Sequence, residues 1–249
     1  GMFVDASGNP TGSESFIVSG TTGGAGVTGD QLYPDVSFNG TDFLVVWQDG
    51  RAGGSDPHIY GARVNTSGVV LDPGGVRISG TTYYQGYPSV ASNGVDWVVA
   101  WEEYAADPQI YAARFLAAGT VNTPVAVTSN AANHQSPDIA WNGSNYLVAW
   151  ADYRSSETTG ADIYGVRLTT TAAKSGSEFI ISTTTSSSTT GASGDQIAPA
   201  VSPSASTTWL VVWQDSRNAT KDIYCARVAG TGTVSDLGGK VVCNATDDQ

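Results

Sequence analysis

The sequence predicts an all-β protein, a β-propeller of about four to five four-stranded blades with an N-terminal half repeat. The first observation behind this prediction is a unit that recurs four times, with a central tryptophan at intervals of 54, 49 and 63 residues (Trp47, Trp101, Trp150 and Trp213). The second is that each unit holds four short apolar segments separated by turn residues. Because one such sheet cannot bury both of its own faces, we expect each copy to cover the next.

Each unit is interpreted as four strands, A to D. Strand A is led by a proline and ends at a polar turn, which is Asn-Gly at 39–40, 93–94 and 142–143 and indicates a tight turn. Strand B is an aromatic-led run that is apolar on both faces, as burial between two neighbouring sheets requires. Strand C carries an I-Y-x-x-R motif, and strand D is a short segment such as VRIS or FIIS. A sandwich of tandem modules is the main alternative, but sandwiches run to about 100 residues, which is longer than one unit.

We predict a single propeller domain over 1–249, with a half repeat at 1–20 and blade repeats at 31–80, 85–129, 135–182 and 196–245. The half repeat aligns with 61–80, so it carries the pattern of strands C and D alone. Three interpretations of it stay open: the chain is a fragment of a longer array, the half repeat docks as a local closure, or it pairs with another molecule through strand edges. The expected partners are therefore other proteins or further repeats of the same array, including self-association.

The order P-x-V, N-G, YLVAW, D-x-R, DIYG and a final IS resembles tandem repeats of secreted and surface proteins of bacteria and archaea. It also resembles the blade repeat of TolB-type propellers, and the resemblance covers nearly all of 31–249. The resemblance implies a binding or structural module and no catalytic residues. Unit two departs from the pattern with EEYA in place of D-x-R, and unit four has Ser204 and Ala205 in place of Asn-Gly.

The composition favours an extracellular or cell-surface protein. Only 14% of the residues are charged and the formal net charge is −12, which disfavours nucleic acid and anionic membrane surfaces as partners. No apolar run reaches the length of about 18 residues that crosses a bilayer, so no membrane insertion is expected. Cys225 and Cys243 fall on neighbouring strands of unit four, where a disulfide is the candidate arrangement and two buried free thiols are the alternative.

Candidate ligand contacts lie on what we call the variable face, which is formed by the B–C and D–A loops. These loops are long and unequal, and such loops on a rigid scaffold are where recognition usually resides. Tyrosines on this face can stack on sugars or anchor a protein partner, with packing on a neighbouring loop as the alternative. The candidates are Tyr33, Tyr83, Tyr84, Tyr87, Tyr104 and Tyr153.

Charged residues that recur at equivalent places in several units are interpreted as scaffold. Loop-fixing salt bridges are expected in three pairs, Asp49/Arg51, Asp152/Arg154 and Asp215/Arg217. The strand C arginines are expected to pair near the A–B turn with residues such as Asp42 and Asp96.

Recurrent glutamines precede strand A of each unit and are expected to hydrogen-bond the next blade or channel water (Gln31, Gln85, Gln135 and Gln196). Two of these glutamines directly follow an aspartate. The candidate oxygen ligands for a hard cation such as Ca²⁺ are therefore Asp30 with Gln31 and Asp195 with Gln196. Since no D-x-D-x-D-G loop occurs, no cofactor is expected.

No catalytic motif is readable in the sequence. His58 and His134 fall in different units, and neither a nucleophile elbow nor a phosphate loop occurs. Paired carboxylates from different blades stay open. We therefore predict a secreted or cell-surface non-catalytic propeller, not an enzyme, that serves as an interaction or structural module of an extracellular assembly. The alternative is a carbohydrate-binding lectin or a carbohydrate-active enzyme that uses the variable face.

Overall fold

The computed structural model describes residues 7, 18–20, 26–53, 56–185, 187–218 and 220–244. It confirms the predicted all-β propeller architecture, because the described chain forms four four-stranded antiparallel sheets and one two-stranded hairpin, and no helix. No helix that could span a membrane is therefore found in this part of the chain. The predicted half repeat at 1–20 lies outside the described residues, apart from 7 and 18–20.

Each four-stranded sheet is one blade, and its strand order follows the chain. Blade 1 contains β1 (Gln31–Phe38), β2 (Asp42–Asp49), β3 (His58–Asn65) and β4 (Val76–Arg77). Blade 2 contains β5 (Tyr84–Ser92), β6 (Trp97–Tyr104), β7 (Pro108–Phe115) and β8 (Val125–Ala126). Blade 3 contains β9 (His134–Trp141), β10 (Tyr146–Asp152), β11 (Asp162–Leu168) and β12 (Phe179–Ile180), and the hairpin of β13 (Thr183–Thr184) and β14 (Ser187–Gly191) follows it. Blade 4 contains β15 (Gln196–Pro203), β16 (Trp209–Asp215), β17 (Asp222–Val228) and β18 (Lys240–Cys243).

The repeated motif sets the same register in all four blades. The central tryptophan of strand B lies opposite the tyrosine of strand C, in the pairs Trp47–Tyr60, Trp101–Tyr111, Trp150–Tyr164 and Trp213–Tyr224. In blades 1, 2 and 4 the two rings are stacked, with centroids 6.3 to 6.5 Å apart. Cross-strand aromatic pairs of this kind stabilise a sheet by about 0.2–1 kcal/mol each.

The core consists of three apolar layers, and each layer joins two consecutive blades. In the first, Leu44 and Ile59 of blade 1 pack with Trp97 and Phe115 of blade 2. Equivalent layers join blades 2 and 3 and blades 3 and 4. The inner strands follow the same order, since β1 packs against β5, β5 against β9 and β9 against β15. Strand B is apolar on both faces because a sheet covers it on each side.

A β-bulge interrupts every inner strand directly before its proline. The register shifts at this point in all four blades, and the residue before the proline has a positive φ (Tyr33 50°, Tyr87 52°, Ser136 54° and Ala198 51°). A left-handed conformation in a residue other than glycine is uncommon and costs about 1–3 kcal/mol, so the surrounding structure must hold it. Bulges redirect side chains and are frequent next to active sites.

The predicted loop-fixing pairs are confirmed. In blade 3, Asp152 is fully buried and accepts hydrogen bonds from Trp150 Nε1 at 2.9 Å and Arg154 Nε at 2.8 Å. The Arg154 guanidinium lies 4.1 Å from the centre of the Tyr164 ring. Burial opposes ionisation of Asp152, but the hydrogen bonds from His134 and Arg154 hold its pKa below the ordinary value. The same clamp recurs in blades 1 and 4.

Two of the predicted scaffold assignments need correction. In blade 3 the place of the recurrent glutamine belongs to His134, which lies opposite Asp152 with an Nε2–Oδ2 distance of 3.3 Å, and not to Gln135. The reason is that this unit has one residue fewer between the glutamine and the proline. Arg114 pairs with Asp96 as expected, whereas Arg63 pairs with Asp72 instead of Asp42.

In the structure no disulfide joins Cys225 and Cys243, the candidate pair. Cys225 lies opposite Lys240 and Cys243 lies opposite Ile223, with a register shift between the two pairs. The cysteines are therefore on adjacent strands but not directly across from each other.

Asp162, the first residue of β11, gives a prediction for the pH dependence of stability. Its carboxylate is buried beside Gly191, where an added Cβ would lie 1.9 Å from Asp162 Oδ1. Burial raises its pKa to about 6, against hydrogen bonds from Thr159 and Ser182. Its unfolded pKa is about 3.9, so between about pH 4 and 6 the folded state binds more protons and stability falls as the pH rises, by about 2 kcal/mol.

Urea unfolding of the wild type and Asp162→Asn from pH 4 to 7 measures this effect. We expect the free energy of unfolding of the variant, relative to that of the wild type, to increase by about 2 kcal/mol from pH 4 to pH 7, because asparagine carries no ionisation cost. A difference between the two proteins that does not change with pH would contradict the assignment.

Candidate functional site

Blade 2 differs from the other blades at the end of strand B. The residue after the central tryptophan is uncharged in blades 1, 3 and 4 (Gln48, Ala151 and Gln214), but it is Glu102 in blade 2. The four positions are equivalent, since each lies opposite the isoleucine of strand C. A feature of one blade alone is not explained by blade construction, so it is a candidate for function.

The next residue, Glu103, does not replace the aspartate of the clamp. Its carboxylate accepts hydrogen bonds from Thr81 Oγ1 at 2.7 Å and Gln85 Nε2 at 3.2 Å. Trp101 Nε1 consequently has no hydrogen-bond partner among the residues that the structure describes. Blade 2 has therefore lost the clamp and carries two buried glutamates in its place.

Glu102 is 2% exposed and lies between blades 2 and 3. The Tyr104 hydroxyl donates to Glu102 Oε2, and the backbone N–H of Ser136, in the bulge of β9, donates to Oε1 at 2.5 Å. Burial raises the pKa of Glu102, and these two hydrogen bonds oppose the shift without cancelling it. A carboxyl with a raised pKa stays protonated to higher pH and can therefore donate a proton.

Four tyrosines of blades 1 and 2 lie together beside this carboxyl, which Tyr104 contacts directly, and are called the tyrosine cluster below (Tyr33, Tyr84, Tyr87 and Tyr104). The Tyr33 and Tyr87 ring centroids are 4.4 Å apart, and the Tyr84 and Tyr104 centroids are 5.0 Å apart. The hydrogen bond with Tyr33 and burial raise the pKa of Tyr87 to about 12. Burial and the contact with Glu102 likewise raise the pKa of Tyr104. Tyr33 is 47% exposed and Tyr87 is 36% exposed, so the outer pair offers accessible aromatic faces.

The structure thus brings four of the six candidate tyrosines together around one acid. Tyr153 lies near Glu102. Burial is the main cause of its raised pKa, and the charges of Asp195 and Glu102 add to the shift. Tyr83 lies apart, close to Tyr111 on strand C, and is 51% exposed. Glu102 was not among the residues predicted from the sequence, although the EEYA departure in unit two was the signal for it.

Two further carboxylates lie on the inner strands. Asp35 follows the bulge of β1 and accepts from Val90 N of the next blade at 2.8 Å. Asp138 follows the bulge of β9 and accepts from Ser89 Oγ at 2.7 Å and Val201 N at 2.6 Å. Burial raises the pKa of Asp138, and the charge of Asp35 adds to the shift. The two carboxylates therefore interact with each other and also connect consecutive blades.

The residues considered as cation ligands are engaged in loop structure. The amide groups of Gln31 and Gln196 donate to the backbone carbonyls of Gly29 at 2.7 Å and Gly194 at 2.8 Å. Asp195 Oδ1 accepts from Ala161 N at 3.0 Å. Within the described ranges, no group of three or more His, Cys, Asp and Glu side chains has the arrangement of a metal site.

Known structures with a similar fold include three carbohydrate-active enzymes. An α-L-arabinofuranosidase from Fusarium graminearum, in complex with an iminosugar inhibitor, is 10% identical, with a TM-score of 0.64 over 86% of this chain and 66% of its own. An endo-arabinase from Bacteroides thetaiotaomicron is 13% identical, with a TM-score of 0.55 over 94% of this chain and 85% of its own. An α-L-arabinofuranosidase from Lactobacillus brevis is 8% identical, with a TM-score of 0.52 over 85% of this chain and 72% of its own.

The similarity at these identities shows the fold, and this chain spans about two thirds of the length of the Fusarium enzyme. No protein-family model matches the sequence, and no curated protein matches it closely enough to be a relative. The comparisons nevertheless contradict the prediction of a non-catalytic interaction or structural module that is not an enzyme. The similar structures are of carbohydrate-active enzymes, the class that the prediction gave as its alternative. The prediction relied on sequence motifs for catalysis, and carboxylates contributed by separate blades form no such motif.

Proposed function

We propose that the chain is a glycoside hydrolase that acts at Glu102 on glycans containing α-L-arabinofuranosides. The observation that carries the proposal is the Glu102 carboxyl, which is buried, has a raised pKa and occurs in one blade alone. The enzyme names of the similar structures support the substrate class.

Glu102 suits the role of the general acid. In glycoside hydrolysis one carboxylic acid protonates the leaving-group oxygen as the glycosidic C–O bond breaks, and water supplies the hydroxyl of the new reducing end. Burial keeps Glu102 protonated above the pH at which an ordinary glutamic acid ionises. The Tyr104 hydroxyl and the Ser136 amide hold both carboxyl oxygens in place.

The second carboxylate of such a mechanism comes from the inner strands in this proposal. Asp35 and Asp138 follow the bulges of β1 and β9, and the bulge of β9 also supplies the Ser136 amide to Glu102. One of them would activate water or attack the sugar directly. The variants Asp35→Asn and Asp138→Asn, assayed beside Glu102→Gln, would show which carboxylate takes this role.

We further propose that the protein acts outside the cell, because polymeric glycans do not cross membranes. The low charged fraction of 14% and the abundance of turn residues support this location. Secretion of the full-length protein into the culture medium, followed by fractionation, tests it.

The direct experiment is an assay of the purified chain on a panel of glycans and aryl glycosides that includes linear arabinan and an aryl α-L-arabinofuranoside. We expect the wild type to release reducing ends from these substrates, and we expect Asp35→Asn or Asp138→Asn to lower the amount released. Binding to a glycan without any release would instead support the lectin alternative.

The exposed pair Tyr33 and Tyr87 gives a prediction for substrate binding. Sugar rings stack on accessible tyrosine faces, so we expect Tyr33→Ala and Tyr87→Ala each to raise KM about tenfold with kcat changed by less than about threefold. Tyr83→Ala is the matched control, since Tyr83 is at least as exposed as Tyr33 and Tyr87 but lies close to Tyr111 on strand C. Initial rates over a range of substrate concentrations measure both constants. An equal effect of the control variant would contradict the assignment.

A further inference from the structure

The four described blades do not close into a ring. Each inner strand packs against the next from β1 to β15, but β15 and β1 do not pack against each other in this way. The outer surface of blade 4 and the outer surface of blade 1 therefore border a space, which we call the gap. The residues that face it are apolar, and the repeat allows each of them to be compared with equivalent residues elsewhere.

The surface of blade 4 that faces the gap is equivalent to the surface with which each of blades 1 to 3 packs against the next blade. Leu44, Val98 and Leu147 on that surface are fully buried, whereas the equivalent Leu210 is 40% exposed. Ile223 is also partly exposed, although the strand C isoleucines of the other blades are fully buried. The surface is built to be covered, and in blade 4 it is not.

Blade 1 shows the complementary surface on the other side of the gap. Val90 and Ile139 are 6% and 5% exposed because the preceding blade covers them, whereas the equivalent Val36 is 55% exposed. Phe43 is half-buried, although the aromatic residues that begin strand B in the other blades are fully buried. The exposed part of blade 1 thus belongs to its inner strands, β1 and β2.

A contact near the outer edge of blade 1 places Gly20 beside blade 1 as Thr183 lies beside blade 4. The backbone N–H of Gly238 in blade 4 donates to the side-chain hydroxyl of Thr183, which follows strand D of blade 3, at 3.0 Å. The equivalent N–H in blade 1, that of Gly74, donates to the carbonyl of Gly20 at 2.5 Å. Gly20 follows the segment FIVS as Thr183 follows FIIS, so the two residues are equivalent in sequence as well.

We infer that the gap is the seat of a fifth blade and that its inner half binds an A–B hairpin of this same repeat. The surface of blade 1 that is exposed to the gap belongs to its inner strands, and in the other blades that surface is covered by strands A and B of the preceding blade, so an A–B hairpin is the matching occupant. The hairpin would place an aromatic residue and valines on Leu210, as Trp209 and Val211 are placed on Leu147 in the layer between blades 3 and 4. Burial of the two apolar surfaces, at about 25 cal/mol per Å², drives the association.

The test attaches a copy of residues 197–217 after Gln249, where the next strand A of the repeat would start. A control fusion carries the same segment with the copies of Val201, Trp209 and Val211 replaced by serine. Leu210→Ala is then introduced into the unfused chain and into both fusions, and thermal unfolding is measured. Light scattering reports the oligomeric state of each protein.

We expect Leu210→Ala to lower Tm by about 2 °C or less in the unfused chain and in the control fusion, and by about 6 °C or more in the hairpin fusion. Equal losses in the two fusions would overturn the inference, because the added hairpin would then not cover Leu210. A loss of about 6 °C already present in an unfused chain that forms dimers would also overturn it, since another copy would then occupy the surface.

Discussion

Glu102→Gln is expected to lower kcat on an arabinofuranoside about a thousandfold while the protein stays folded. The amide has the size of the carboxyl. Its oxygen can still accept from the Ser136 N–H, and its –NH2 can donate to the Tyr104 hydroxyl in a reversed hydrogen bond, but it cannot transfer a proton. General acid catalysis contributes about 10²–10⁴ in rate, so the loss should fall in that range. Initial rates on an aryl arabinofuranoside measure it, and thermal unfolding of the variant verifies the fold.

Glu157→Gln is the matched control for this variant. Glu157 is an exposed glutamate on the B–C loop of blade 3, on the same face of the propeller. Its replacement removes the same charge and should leave kcat unchanged within about twofold. If the Glu102→Gln variant retained the wild-type kcat, another group would have to be the acid.

Leu147→Ala is expected to destabilise the protein by about 2–5 kcal/mol. Leu147 is fully buried in the layer between blades 3 and 4, and its removal leaves a cavity against Trp209 and Val211. Leu210 occupies the same position one blade later but is 40% exposed, so Leu210→Ala should cost less than about 1 kcal/mol. Urea unfolding of the two variants compares one residue type at one place in the repeat with and without a covering blade.

Equal losses of stability for the two variants would contradict the packing described above. They would mean either that Leu210 is covered in solution or that the layer between blades 3 and 4 is looser than the structure shows. The dependence of the unfolding midpoint on protein concentration separates these two cases, because coverage by another copy is concentration-dependent.

The blade architecture followed from the sequence because the repeat specifies it at several levels. The central tryptophans, the Asn-Gly turns and the two-sided apolar strand B all require stacked sheets. The Asp–Arg clamp was also predictable, because three copies at equivalent places indicate a common structural role. The pairing of Arg63 with Asp72 was not, since several aspartates fall near strand C and the sequence does not rank their distances.

The candidate site could be predicted only in part. The sequence located the tyrosines on the variable face, and it marked unit two as different. It did not show which of Glu102 and Glu103 meets the tyrosines, because that choice depends on strand register and on contacts with neighbouring blades. The bulges before the inner-strand prolines were also missed, since a positive φ at Tyr33 or Tyr87 contradicts the local preference of those residues and is imposed by the assembled sheet.

The central claim is that the pKa of Glu102, which lies beside tyrosines in blade 2, is raised and that Glu102 acts as the acid in catalysis. Carbon-13 NMR titration of the side-chain carboxyls, with Glu102→Gln to assign the signal, tests this claim most directly. We predict that Glu102 titrates clearly above the ordinary value of about 4.3 and that its midpoint coincides with the loss of kcat/KM towards high pH. A midpoint at or below the ordinary value would contradict the account, because Glu102 would then be ionised at the pH where it must donate a proton.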